Sequence, residues 1–105
     1  MAASMVPAME TLRIDRADGV VTVTFDRPHK KNAVNSVMWD ELTEAAASIV
    51  GNPDDRCVVL TGADGDFCSG ADLSDSPASS THQLAAMRRI NAVVQAFHEL
   101  PQPTI

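Results

Sequence analysis

A chain of 105 residues has room for one small domain, because single cores split only beyond about 250 residues. With 45% hydrophobic and 21% charged residues it has a globular composition, which excludes the polar, highly charged profile of a disordered chain. A net charge of −6 excludes a general attraction to nucleic acid or anionic membrane, since both require clustered cations, and the densest cluster is only the short run Arg27-Pro28-His29-Lys30-Lys31.

Met1 to Glu10 has neither a basic leader nor a sustained apolar run, so residues 1–10 are expected to form an unstructured tail ahead of a domain over residues 11–105. Met5 and Met9 also offer later translation starts. Cys57 and Cys68 lack C-x-x-C spacing and are too few for a disulfide framework or a structural zinc set. A reducing cytoplasm and no metal are the expectation.

Leu12 and Ile14 alternate with polar residues, Ala17-Asp18-Gly19 supplies turn chemistry, and Val20 to Phe25 is rich in β-branched residues, which predicts a β-hairpin. The second strand sends Val21, Val23 and Phe25 to one face, built for a core, and Val20, Thr22 and Thr24 to the other. After the Pro28 loop, Asn35 or Ser36 can cap a helix on which Met38, Leu42, Ala45 and Ile49 recur at helical spacing. Asp40 and Glu41 suit its positive end, Trp39 is expected to pack on the sheet, and Gly51-Asn52-Pro53 is a helix stop that tolerates a left-handed residue. Cys57 to Thr61 is a short apolar run closed by Gly62, the pattern of a strand buried on both faces. Ser74 to Thr81 reads as a serine-rich loop broken by Pro77. Ser80 and Gln83 have capping-box spacing, and Leu84, Met87, Ile90, Val94 and Phe97 trace the apolar stripe of a second helix that Pro101 stops. Pro101 to Ile105 approaches a further strand.

Two segments can carry chemistry. A thioester oxygen becomes anionic when the carbon beside it loses a proton or when a nucleophile adds in conjugation, and preorganised backbone N–H groups about 3 Å away stabilise it. Cys68-Ser69-Gly70-Ala71 is a run of small residues after the buried strand, where the N–H of Ala71 can be exposed; the same glycines also suit a plain tight connection. Asp26 to Asn35 sets cations and a rigid proline just before a helix, which suits a phosphate or pyrophosphate, although such a run is also an ordinary solvated turn.

Together these segments resemble the crotonase, or enoyl-CoA hydratase/isomerase, family, whose pattern orders an R-P-x-x-x-N-A loop, a helix, a V-V-L-x-G strand and an F-x-x-G-A-D-L segment. The matching residues are Arg27, Pro28, Asn32 and Ala33; Val58, Val59, Leu60 and Gly62; and Phe67, Gly70, Ala71, Asp72 and Leu73. The resemblance runs from Leu12 to Ile105 and its specificity lies in the ordered set. It implies an α/β fold, a partial crotonase-like β-β-α spiral truncated before the C-terminal half. It implies an enoyl-CoA hydratase-like protein of fatty acid or related acyl-CoA metabolism, acting on acyl-CoA thioesters through an oxyanion-stabilised enolate. CoA would be part of the substrate, with no flavin, nicotinamide or metal.

By the same resemblance the Ala71 N–H is one oxyanion donor, and the segment Ser69, Gly70, Ala71, Asp72 and Leu73, with Ala33, borders CoA. Arg27 and Lys30 or Lys31 would lie near the CoA phosphates, and Asp72 is read as a structural carboxylate. The family's second donor, a glycine, and its usual catalytic glutamates correspond to positions after Ile105, so one donor of a pair is expected here. Homo-oligomers or association with related subunits are implied, and the alternative is a noncatalytic fragment that binds CoA weakly or only associates. Glu41, Glu44 and Glu99 are expected to face solvent, His29, His82 and His98 to be surface histidines, Cys68 to be a small filler and Cys57 a core residue.

Overall fold

The computed structural model of the chain describes residues 9–72 and 80–105. Strand β1 (Leu12–Ala17) and strand β2 (Val20–Phe25) pair antiparallel, from Leu12 opposite Phe25 to Ala17 opposite Val20. Asp18 and Gly19 form the two-residue turn, with φ of 55° and 83°. Two positive φ angles give a turn twist that matches the strands, which is why an Asp-Gly pair sits here. Helix α1 (Ser36–Val50) crosses over to strand β3 (Cys57–Gly62), which pairs parallel with β2 from Val20 beside Cys57 to Phe25 beside Gly62. The sheet order is β1-β2-β3, and helix α2 (Ser80–His98) follows. The expected approach to a further strand is present: Thr104 bridges Val58 in parallel, and the Val58 N–H donates to the Pro103 carbonyl at 2.8 Å.

The core forms where the two periodicities meet. Leu12, Val21, Val23, Phe25 and Val58 come from one sheet face, and Met38, Leu42, Ala45 and Ile49 from α1, all of them buried in one cluster. Each of these side chains larger than alanine contributes about 1.5–3 kcal/mol through the apolar surface it removes from water. Asn35 caps α1, its side-chain oxygen accepting from the Met38 N–H at 2.9 Å. Trp39 packs partly buried against the cluster.

Several expectations change. In β3 only Val58 is buried, because β3 has just one full-length neighbour, and Cys57 is half-buried and outside the core cluster. On the other face of β2, Val20 is exposed as expected of a polar side but Thr24 is buried. Gly51 ends α1 at φ −90°, so its left-handed freedom is not used. Asp40 and Glu41 fall after the first turn of α1, which holds no acidic residue. Glu41 instead ties down β1: its carboxylate accepts from the Glu10 N–H at 2.7 Å, the Thr11 N–H at 2.9 Å and the Thr11 hydroxyl at 2.6 Å. It does not simply face solvent.

The stripe on α2 is also rotated from the expected one. Val93 is its buried residue, with Phe97 packed partly against the core, while Leu84, Met87 and Val94 are 50%, 61% and 59% exposed. Arg89 explains part of the docking angle, pairing with Asp40 and donating to the Ser36 carbonyl at the start of α1. Ser80 and Thr81, expected in the loop, lie in α2; the rest of that loop, Leu73 before it, and the capping role of Ser80 lie outside the described residues and side chains. Of the expected 1–10 tail, residues 1–8 lie outside them too, whereas Met9 packs against the core. Among the described residues no helix is long and apolar enough to cross a membrane.

Candidate functional site

The parallel register of β2 and β3 decides where the two motif segments meet. Phe25 and Gly62 are partners at the ends of these strands, so the chain leaves both at one edge of the sheet. In open α/β sheets that carboxyl edge is where ligands collect. The loop after β2 contains a 3-10 turn (Pro28–Lys30), and the segment after β3 contains another (Ala63–Gly65). A ring stack joins them, with Phe25 and Phe67 centroids 5.2 Å apart.

Asn32 locks the two loops together. Its side chain is fully buried; its oxygen accepts from the Arg27 N–H at 2.8 Å, and its amide donates to the Ala63 carbonyl at 3.0 Å and the Asp66 carbonyl at 2.6 Å. Its φ of 59° follows Lys31 at 52°, and asparagine tolerates this left-handed conformation better than most residues. Gly62 allows the close crossing, because a Cβ there would lie 1.9 Å from the Asp66 carbonyl oxygen. The sequence reading matched Asn32 to a motif without giving it a role. Its signal was a polar residue of left-handed tolerance in a loop whose backbone groups need partners.

Ala71 and Val34 form a parallel bridge. The Val34 N–H donates to the Gly70 carbonyl at 2.8 Å, and the Asp72 N–H donates to the Val34 carbonyl at 2.9 Å. Gly70 C=O and Ala71 N–H belong to one planar trans peptide and point in opposite directions. Fixing the first on Val34 therefore aims the second away from Val34, in a segment where Ala71 is exposed. Gly70 reaches this arrangement at φ +107°, a backbone that side-chain-bearing residues rarely adopt. The direction of the Ala71 N–H is thereby preset by the backbone.

The other candidate residues divide in two. Lys30 and Lys31 are exposed on the loop, and Ser69 is beside them, its hydroxyl donating to the Lys30 carbonyl at 3.3 Å. Arg27 is placed differently from the expected phosphate ligand. It is only 8% exposed, with Nη1 donating to the Ala33 carbonyl and Nη2 paired with Asp72 at 3.0 Å. A phosphate would have to displace Asp72, so the guanidinium is spent inside the protein. Ala33 is buried with its carbonyl taken by Arg27, and Asp72 is the structural carboxylate of that pair. Leu73 lies outside the described residues.

Further groups stand away from this donor or are engaged. Glu44 and Glu99 are exposed, as are His29 and His98, while His82 lies outside the described side chains. Cys68 is half-buried, packs against the core cluster, and its sulfur accepts from the Gly70 N–H at 3.4 Å. Burial pushes the Glu41 carboxyl up, but hydrogen bonds from the Thr11 hydroxyl and from the N–H groups of Glu10, Thr11 and Leu12 outweigh it, leaving its pKa below the ordinary 4.5. Sequence reasoning missed one ion pair on the far end of the sheet, between exposed Arg16 and buried Asp55, which is 4% exposed and accepts from Arg16 Nε at 3.0 and 3.1 Å. Among the described residues no three His, Cys, Asp or Glu side chains converge as a metal site would require.

Comparison with known proteins gives consistent matches. The family model described as enoyl-CoA hydratase/isomerase matches residues 15–105. A probable enoyl-CoA hydratase of Rhodobacter capsulatus is 35% identical over 96 residues, which are 90% of this chain and 37% of that protein. The 1,2-epoxyphenylacetyl-CoA isomerase of Escherichia coli is 34% identical over 92 residues, 83% of this chain and 35% of that protein. Among solved structures, an enoyl-CoA hydratase of Mycobacterium smegmatis superposes with a TM-score of 0.86 at 34% identity, over 90% of this chain and 38% of that one. The chain thus spans just over a third of the length of these three relatives.

Proposed function

The chain belongs to the enoyl-CoA hydratase/isomerase family and has a partial crotonase fold, and from that premise we propose that it binds an acyl-CoA thioester and offers the Ala71 N–H to the thioester oxygen as an enolate forms. The observation that supports this reading is the Val34–Gly70 hydrogen bond, which directs the Ala71 N–H away from Val34 before any ligand arrives. A donor that need not reorient stabilises developing negative charge at no reorganisation cost.

In the hydration proposed, the oxygen of a water molecule bonds to the β-carbon of an enoyl thioester as one of its O–H bonds breaks, the proton passing to bulk water, from which the α-carbon later takes one. The π electron pair moves through the α-carbon onto the thioester oxygen, where the Ala71 N–H meets it. The pair then returns as the α-carbon takes a proton, leaving a 3-hydroxyacyl thioester. Asp72 is held by Arg27 and is assigned no proton transfer. CoA is part of the substrate, and these steps call for no flavin or nicotinamide. Exposed Lys30 and Lys31 would receive the CoA phosphates, with Ser69 and Gly70 along the nucleotide end. Lysine serves there as a point charge on a flexible stem.

The test compares equilibrium binding of acetoacetyl-CoA, which enolises readily, with that of butyryl-CoA, which does not. A hydrogen bond to a charged acceptor contributes about 1.5–3 kcal/mol. The enolising ligand should therefore bind at least about tenfold more tightly at a pH where its enolate is populated. Equal affinities would overturn the proposal.

A further inference from the structure

We infer that Arg27 is a positioning residue for the oxyanion donor, heading a relay of two peptide groups that both aims and polarises the Ala71 N–H. Two hydrogen bonds, each already described, line up to make it. Arg27 Nη1 donates to the Ala33 carbonyl. That carbonyl shares a peptide plane with the Val34 N–H, which points the opposite way and donates to the Gly70 carbonyl at 2.8 Å. The Gly70 carbonyl shares its plane with the Ala71 N–H, which again points the opposite way, away from Val34. A guanidinium therefore stands at one end of a hydrogen-bonded chain of two amides, and the Ala71 N–H stands at the other.

Such a chain strengthens itself. Each amide polarised at its oxygen becomes a better donor at its nitrogen, by roughly 10–30% per bond. A cation at the head adds to this in the sense that suits an oxyanion acceptor. Burial keeps the effect from being screened, since Arg27 is 8% exposed and the Ala33 and Val34 side chains are buried. Asp72 sets the strength: its carboxylate, 3.0 Å from Nη2, offsets part of the guanidinium charge while holding the fork in place. Asp72 also directly follows Ala71, and its N–H closes the far side of the bridge on the Val34 carbonyl at 2.9 Å. One arginine thus restrains both segments that frame the donor, which explains why it is turned inward in a loop whose lysines are exposed.

This inference rests on the reading of Ala71 as an oxyanion donor, but its test needs no ligand. The amide resonances of the free 105-residue chain are measured by NMR in the parent, Arg27→Gln, Arg27→Lys and Asp72→Asn. Removing the cation should move the Ala71 amide proton upfield, and Arg27→Lys should restore part of that shift. Removing the carboxylate should move it downfield, because more guanidinium charge then acts through the relay. A residue that merely supported the fold would give shifts of one sign in the Arg27→Gln and Asp72→Asn variants, and that result overturns the inference. An unchanged Ala71 amide in Asp72→Asn overturns it as well. Should Arg27→Gln not fold, the parent still decides through the scalar coupling across the Val34 N–H to Gly70 carbonyl bond: its presence, with the downfield shift in Asp72→Asn, sustains the relay, and its absence removes it. Failure of the chain to discriminate acetoacetyl-CoA from butyryl-CoA, with the relay shifts intact, would count against the proposed function and leave the relay standing.

Discussion

Replacing Asn32 by alanine should be among the most damaging single changes in the loop region. The side chain is fully buried and makes three hydrogen bonds, one accepted from the Arg27 N–H and two donated to the Ala63 and Asp66 carbonyls. The Arg27 N–H would lose its partner away from water, at about 1–3 kcal/mol. The two carbonyls lie nearer the surface and can regain water, so each costs only about 0.5–1.5 kcal/mol. Alanine must also hold a φ of 59°, for which a left-handed residue with a Cβ costs roughly 1–2 kcal/mol. The expected loss is about 3–8 kcal/mol, comparable with the whole stability of many small domains. Urea denaturation followed by the fluorescence of the single tryptophan, Trp39, measures it directly. A loss below about 1 kcal/mol would show that the two loops are held by something other than this amide, and the account of the site would fail with it.

Gly62→Ala should disrupt the same crossing, since the added methyl would sit 1.9 Å from the Asp66 carbonyl oxygen; amide spectra should show displaced resonances through residues 63–72, and an unperturbed spectrum would contradict the packing. Met38→Ala, at a site with no exposed surface, should lower stability by about 2–5 kcal/mol in the same urea assay. The Glu41 carboxyl titrates lower in the folded chain than its ordinary 4.5, so the unfolded chain binds the proton more readily as pH falls. Its contribution is complete above that ordinary value and is lost as pH drops through the lower folded value. Unfolding free energy measured against pH should therefore fall less steeply on the acid side in Glu41→Gln, and superimposable acid limbs would refute the role given to the Thr11 contacts.

The elements legible in the sequence were those whose pattern and packing agree. Asp18-Gly19 names its turn chemically, and Met38, Leu42, Ala45 and Ile49 recur on one helical face that has a single sheet to cover. Helix α2 shows the limit, because Leu84, Met87 and Val94 fit an apolar stripe as well as Val93 does. Periodicity leaves a helix free to rotate, and the Arg89 contacts with Asp40 and Ser36 fix the angle through residues far away in sequence. The site behaves similarly. Its small residues and glycines singled out the segment around Ala71, which is exposed, yet nothing local revealed that Arg27 would turn inward to Asp72, 45 residues away. Cations in a loop read as a patch until the partner across the fold is known. Glu41 was misread for the same reason, since its partner Thr11 lies 30 residues back along the chain.

The central claim, that the Ala71 N–H is the group that meets the thioester oxygen, has a direct test. Isotopically labelled chain titrated with acetoacetyl-CoA should show the Ala71 amide proton moving downfield as the complex forms, with amides remote from the site, such as that of Val58 bonded to Pro103, unmoved. A complex that forms while the Ala71 amide keeps its free-state position would contradict the account.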